Sequence, residues 1–84
     1  MAKKHPFLIE KFFKYCSEQG MELLPDDMSF LRRLTRFTPE SKIRPILSKY
    51  VIIWTDEMAK ESIEHKKQNT GRFAANSWIR EYLT

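Results

Sequence analysis

Residues 43–58 read Ile-Arg-Pro-Ile-Leu-Ser-Lys-Tyr-Val-Ile-Ile-Trp-Thr-Asp-Glu-Met, and this stretch decides the fold. Its apolar residues recur every three or four positions, the spacing of one helical face: Ile43, Ile46, Leu47, Tyr50, Val51, Trp54 and Met58. Ile52 and Ile53 widen this face beyond what a surface helix normally carries. We therefore expect the segment to be a helix at the centre of a core, covered by other helices.

The length and composition point to one small helical domain. A chain of 84 residues is sufficient for a single domain, residues 1–84. Hydrophobic residues make up 42% of the chain, which provides enough apolar surface for a core. Only two glycines are present, too few for the frequent tight turns of a sandwich or barrel. The predicted fold is all-α, an irregular bundle of about four helices.

Proline, glycine and capping residues set the expected bounds of the first two helices. Pro6 suits a first helical turn, and Gly20 stands where a left-handed C-terminal cap belongs, which predicts a helix over 6–19. A second helix over 27–37 follows an acidic cap at Asp26 or Asp27.

The bounds of the last two helices depend on Pro45 and on one polar triplet. Thr38-Pro39-Glu40 is a restart signal, but Pro45 removes a backbone donor, so the third helix begins at 39 or at 45. We favour a short turn at 39–43, followed by a long helix that ends near residue 66. Asn69-Thr70-Gly71 indicates a break, after which a fourth helix occupies 72–83.

Catalytic patterns are missing from the sequence. The histidines, His5 and His65, lie in polar segments, and Cys16 falls on an apolar helical face, where a cysteine acts as a small hydrophobic residue. The chain has no glycine-rich phosphate loop, nucleophile elbow or metal-ligand cluster. We predict a protein that is not an enzyme and has no cofactor or metal.

Cysteine content and hydropathy suggest the compartment. A single cysteine allows no internal disulfide, which favours a reduced, cytoplasmic setting. No apolar run approaches the ~20 residues of a membrane span, so no membrane contact is predicted. Residues 1–6 include basic residues, but Glu10, Lys11 and Lys14 interrupt the segment that follows, so we do not expect a signal peptide.

Charge is segregated along the chain. The net charge is +4, yet residues 28–49 hold six basic residues against one acid, a local charge of +5. Residues 55–64 carry −3 and residues 65–72 carry +3. A block of one sign produces a local field stronger than the net charge suggests, which favours an acidic partner or a nucleic acid.

Two basic segments are the candidate nucleic-acid site. Arginines within one turn of the second helix suit phosphate geometry, and the segment before the fourth helix combines cations with neutral donors. If Asn69 or Thr70 capped that helix, its free N–H groups would also face an anion. The predicted contacts are Arg32, Arg33, Arg36, Lys66, Lys67, Gln68, Asn69, Thr70 and Arg72. The competing interpretation is a solvated helix face and an ordinary turn.

Two functions follow as alternatives. The first is a small accessory or regulatory protein that binds nucleic acid through phosphates. A helix-turn-helix reader is excluded, because its second helix would have to present polar side chains, whereas this one is apolar. The second is a helical protein–protein interaction module, an adaptor, inhibitor or assembly factor that docks an acidic partner or forms a homodimer. Ile52 and Ile53 would form its interface, since they point away from the main apolar face. Phe73 and Tyr82 are the aromatics least suited to the core.

Overall fold

The computed structural model describes residues 6–83, which form four α-helices and no strand. In order these are α1 (Pro6–Glu18), α2 (Pro25–Thr35), α3 (Glu40–Lys60), a 3₁₀ turn (Glu64–Lys66) and α4 (Lys67–Leu83). The prediction of an all-α fold with four helices is confirmed. None of the helices in 6–83 is long and apolar enough to cross a membrane. Residues 1–5, to which the expectation about a signal peptide applies, lie outside the described residues.

The predicted apolar face of α3 is the centre of the core. Ile43, Tyr50 and Trp54 are each at most 1% exposed, and only Met58 among the seven predicted positions is half-buried. The Tyr50 ring packs against Phe12 of α1 and against Trp54, with centroid distances of 6.1 and 5.9 Å. α4 packs antiparallel against α3, since the chain reverses between them at residues 61–66.

Gly20 ends α1 as the sequence predicts. Its φ of 81° places it in the left-handed region, where glycine carries no steric penalty. The Gly20 N–H bonds to the Ser17 carbonyl and the Met21 N–H bonds to the Cys16 carbonyl, the hydrogen-bond pair of a Schellman motif. Met21 and Cys16 are both buried, so this cap also seals one edge of the core.

α2 begins and ends two residues earlier than predicted, so the assignment of Asp26 or Asp27 as its cap is wrong. Leu24 occupies the cap position and Pro25 the first helical position, where its missing N–H costs nothing. Asp27 instead reaches back from the first turn and accepts the Leu24 N–H at 2.9 Å.

α3 runs through Pro45 without interruption, so the predicted turn at 39–43 is wrong. Pro45 lies in the second turn and can only deprive Ser41 of a partner for its carbonyl. Both residues are exposed, so water can bond that carbonyl. The helix also stops at Lys60 rather than near residue 66, because Glu61 leaves helical geometry with ψ at 122°.

α4 begins at Lys67, five residues before the predicted start, and Gly71 lies inside it. A Cβ atom at position 71 would stand 2.6 Å from both the backbone oxygen and the Cδ1 of Trp54. The glycine therefore allows α3 and α4 to approach closely. The predicted break at residues 69–71 is therefore wrong. Asn69 and Thr70 lie inside α4, so neither of them caps it.

Candidate nucleic-acid interface

Several polar side chains of the α3–α4 junction, residues 61–72, have hydrogen-bond partners inside the protein. Lys67 Nζ donates to the carbonyls of Met58 and Glu61, which lie at the C-terminal end of α3. A cation at this helix end bonds the last carbonyls and complements the helix dipole. Thr70 Oγ1 donates to Glu61 Oε1 at 2.7 Å, and this bond lowers the pKa of the Glu61 carboxyl.

Arg72 joins α4 to the start of α2. Its Nε donates to Asp27 Oδ2 at 2.7 Å, with side chains 16% and 5% exposed, and another nitrogen donates to the Glu22 carbonyl. Its guanidinium also lies over the Trp54 ring, 5.1 Å from the centroid. Breaking a buried ion pair leaves an uncompensated charge in the interior, which costs several kcal/mol of stability. Arg72 is therefore not available to bind a phosphate.

Asp27 is the acceptor at the centre of this network. Besides Arg72 and Leu24, it accepts a bond from Asn76 Nδ2 at 3.0 Å, and Tyr50 donates its hydroxyl to Asn76 Oδ1. Burial is the main reason that the pKa of Tyr50 is raised far above its ordinary value, and the Asp27 charge adds to it.

Gln68 fixes the connector between α1 and α2 through backbone atoms. Its Oε1 accepts from Trp54 Nε1 at 3.1 Å and from the Glu22 N–H at 3.0 Å. Its Nε2 donates to the Gly20 carbonyl at 2.8 Å. Together with the bond from Arg72 to Glu22, three contacts from α4 therefore reach the connector backbone.

The arginines of α2 and Arg36, which caps its C-terminal end, have different surroundings. Arg32 pairs with Glu10 at 2.7 Å and lies over the Phe13 ring, so it fastens α2 to α1. Arg33 and Arg36 are exposed, and neither has an ion-pair partner within residues 6–83. Arg36 stands 6.0 Å from the centroid of the Phe37 ring.

The two predicted basic segments lie at opposite ends of α4. Asp27 of α2 bonds Arg72, and Phe30 lies under Arg80, so α2 runs beside α4 in the same direction. Arg36 follows Asp27 by nine residues, about 14 Å along the helix, which carries it away from the junction. The nine predicted contact residues therefore do not form one surface. Their binding of nucleic acid remains a prediction.

A different basic surface is present in the groove between α3 and α4, which we call the α3–α4 groove. Lys42 and Lys49 line it from α3, Trp78 and Tyr82 line it from α4, and its volume is about 730 Å³. The two aromatic rings stack at 5.3 Å with 17° between their planes, and Lys49 Nζ lies 5.9 Å from the Trp78 centroid. No acidic side chain lines this groove among the described residues.

Arg36 and Phe37 extend this surface at one end. Thr38 lines the groove and directly follows them in the chain, so both lie within about 7 Å of it along the backbone. Phe37 is 71% exposed and Tyr82 is 62% exposed, so both rings offer aromatic surface to solvent. Arg36 lies beside Phe37, and Lys42 and Lys49 line the groove with Tyr82.

Sequence reasoning missed Lys42, Lys49 and Trp78. The seven-residue spacing of the lysines and the four-residue spacing of Trp78 and Tyr82 each indicate one helical face. What the sequence does not show is that these two faces meet, because that depends on how α3 and α4 pack against each other. The exposure of Phe73, at 76%, and of Tyr82 agrees with the prediction for both aromatics.

The predicted partner interface divides between two places. Ile52 is 56% exposed and lines a groove between α1 and α3, the α1–α3 groove. Ile53 is half-buried and packs against the core instead. The two isoleucines therefore do not form one patch.

No group of three potential metal ligands occurs within residues 6–83. Comparison of the chain with protein-family models, curated proteins and solved structures finds no match.

Proposed function

We propose that the protein binds single-stranded nucleic acid along the α3–α4 groove, without base-specific recognition. The observation that carries the proposal is the stacked Trp78–Tyr82 pair flanked by Lys42 and Lys49, in a groove whose described lining contains no acid. Cations that follow a backbone and aromatic rings that stack on bases are the usual elements of such sites.

Each group has a distinct part in the proposed complex. Lys42 and Lys49 contact phosphates inside the groove, and Arg33 and Arg36 contact phosphates at the end near Phe37. One base stacks on the outer face of Tyr82 and so continues the Trp78–Tyr82 stack. A second base stacks on Phe37. A duplex keeps its bases stacked on one another, so the aromatic contacts favour a single strand.

The proposal keeps Arg33 and Arg36 from the sequence-based prediction and replaces the other cations. Lys67 and Arg72 are held by internal partners, and Arg32 pairs with Glu10. Lysines of the groove, which have no internal carboxylate partner among the described residues, take their place.

The test is fluorescence anisotropy with labelled oligothymidylate and oligouridylate of about 16 nucleotides at low salt. Tyr82→Ala removes one stacked ring and should weaken binding by about 1–3 kcal/mol. Phe73→Ala is the matched control, because it removes an exposed ring nine residues earlier in α4, on the opposite face of the helix. Affinity should fall steeply between about 50 mM and about 200 mM salt.

A pair of charge reversals tests the phosphate contacts. Lys42→Glu with Lys49→Glu should abolish binding, whereas Lys11→Glu with Lys14→Glu changes the net charge equally on α1 and should retain most of it. Equal loss in both double variants would show that only the overall charge matters. Absence of binding by the unchanged protein, or tighter binding to a duplex, contradicts the proposal.

A further inference from the structure

We propose that the α1–α3 groove is a docking site for an amphipathic helix of another protein that carries acidic residues beside its apolar face. The groove lies on the α1 side of α3, whereas the α3–α4 groove lies on the other side. This inference is therefore independent of the proposed nucleic-acid binding.

The floor and walls of the groove are apolar. Phe12, Leu47 and Val51 form the floor and are each at most 8% exposed. Tyr15 rises from α1 and Ile52 from α3, at 47% and 56% exposed. Two large apolar side chains that face one groove from opposite walls provide a surface that a partner side chain can fill.

Each wall also carries a cation. Lys11 lines the groove from α1 and Arg44 lines it from α3, and no acid joins them among the described lining residues. Arg44 pairs with Glu40 at 2.8 Å, but both side chains are more than half exposed and lie one helical turn apart. Such pairs contribute little, so Arg44 can exchange Glu40 for a carboxylate of a partner.

The shape of the site favours a helix as the bound segment. Both walls are helices whose backbone groups are bonded internally, so an extended peptide would find no sheet edge to pair with in residues 6–83. A helix satisfies its own backbone and can insert a row of apolar side chains between Tyr15 and Ile52.

Charge argues against a second copy of this chain as the occupant. In a two-fold dimer formed through this groove, each copy would bring the same lining, with Lys11 and Arg44 and no acid to meet them. A partner helix with acids on both flanks of its apolar face pairs with both walls at once.

The test uses a labelled synthetic peptide of about four helical turns, with leucines at helical spacing and glutamates on both flanks. Fluorescence anisotropy should show saturable binding, and an otherwise identical peptide with lysine flanks should bind at least about tenfold more weakly. Ile52→Ser should weaken the acidic peptide by about tenfold, whereas Ile63→Ser, at an exposed isoleucine outside the groove, should not. Circular dichroism checks that both variants remain folded.

Lys11→Glu tests the charge, with Lys14→Glu as the matched control on the same helix but outside the groove lining. The first should weaken the acidic peptide more than the second. Equal binding of the two peptides, or none up to about 1 mM, overturns the proposal. A dimer in light scattering that Ile52→Ser dissociates would also overturn it, because the occupant would then be a second copy.

Discussion

Two basic regions of the chain, residues 66–72 and residues 32–36, each carry three cations but have different surroundings. In the first, Lys67 and Arg72 reach carbonyls and a buried carboxylate of neighbouring segments. In the second, Arg32 pairs with Glu10, whereas Arg33 and Arg36 are exposed and Arg36 lies beside the Phe37 ring. The difference arises from what lies opposite: the first region faces the free end of α3 and the start of α2. A cluster of cations is therefore structural where free acceptors converge on it, and available for binding where they do not.

The largest expected effect on stability comes from replacing one arginine by glutamine in each of the two regions. Arg72→Gln leaves the buried Asp27 carboxylate without its cation and should lower the free energy of unfolding by about 3 kcal/mol. Arg33→Gln makes the same change at an exposed position and should stay within about 0.5 kcal/mol of the unchanged protein. Urea denaturation measures both. Similar losses in the two variants would remove the distinction between the regions.

A smaller effect is expected at Gly71, which allows the junction to lie close to Trp54. Alanine is the better helix former by about 1 kcal/mol, but its Cβ meets the Trp54 backbone oxygen, which cannot move alone. We expect Gly71→Ala to destabilise the protein by about 2 kcal/mol in thermal or urea denaturation.

Gly20→Ala is the control for the Gly71→Ala measurement. No atom lies within 4 Å of a Cβ at position 20, so only its φ of 81° opposes the substitution, at about 1 kcal/mol. A Gly71→Ala protein as stable as the unchanged one would mean that α3 and α4 are not held in close contact.

The smallest effect concerns the Glu61 carboxyl, whose pKa is lowered chiefly by the Thr70 hydroxyl. A carboxyl with a lowered folded-state pKa contributes stability above its ordinary pKa of 4.5, and that contribution is lost as the pH falls through the folded-state pKa. The acid side of the stability profile should therefore be slightly flatter in Glu61→Gln. Glu64→Gln removes a neighbouring exposed acid and is the control for the loss of one negative charge.

The helical fold and its centre could be predicted because they depend on local patterns. The apolar spacing of residues 43–58 identified the buried face of α3, and Gly20 identified the end of α1. The roles of Gly71 and Pro45 could not be predicted in the same way. A glycine or a proline determines which backbone conformations are allowed at its position. Whether a helix ends there depends on the residues that pack around it.

The candidate surfaces were predicted less well, for a related reason. The sequence shows that Arg72 is a cation, but Asp27 stands 45 positions away and its approach depends on the packing of three helices. Lys49 and Trp78 likewise meet only when α3 and α4 pack side by side. Contacts between helices depend on tertiary packing, and the spacing of residues along one helix does not predict them.

The connector between α1 and α2 is held by α4 through main-chain atoms of Gly20 and Glu22 rather than through their side chains. Its length is therefore constrained, while the identity of residue 22 is not. In descendants of this sequence we expect substitutions at position 22 to accumulate freely. Insertions or deletions between α1 and α2 should be rare, because a single added residue would shift all three acceptor and donor positions out of reach.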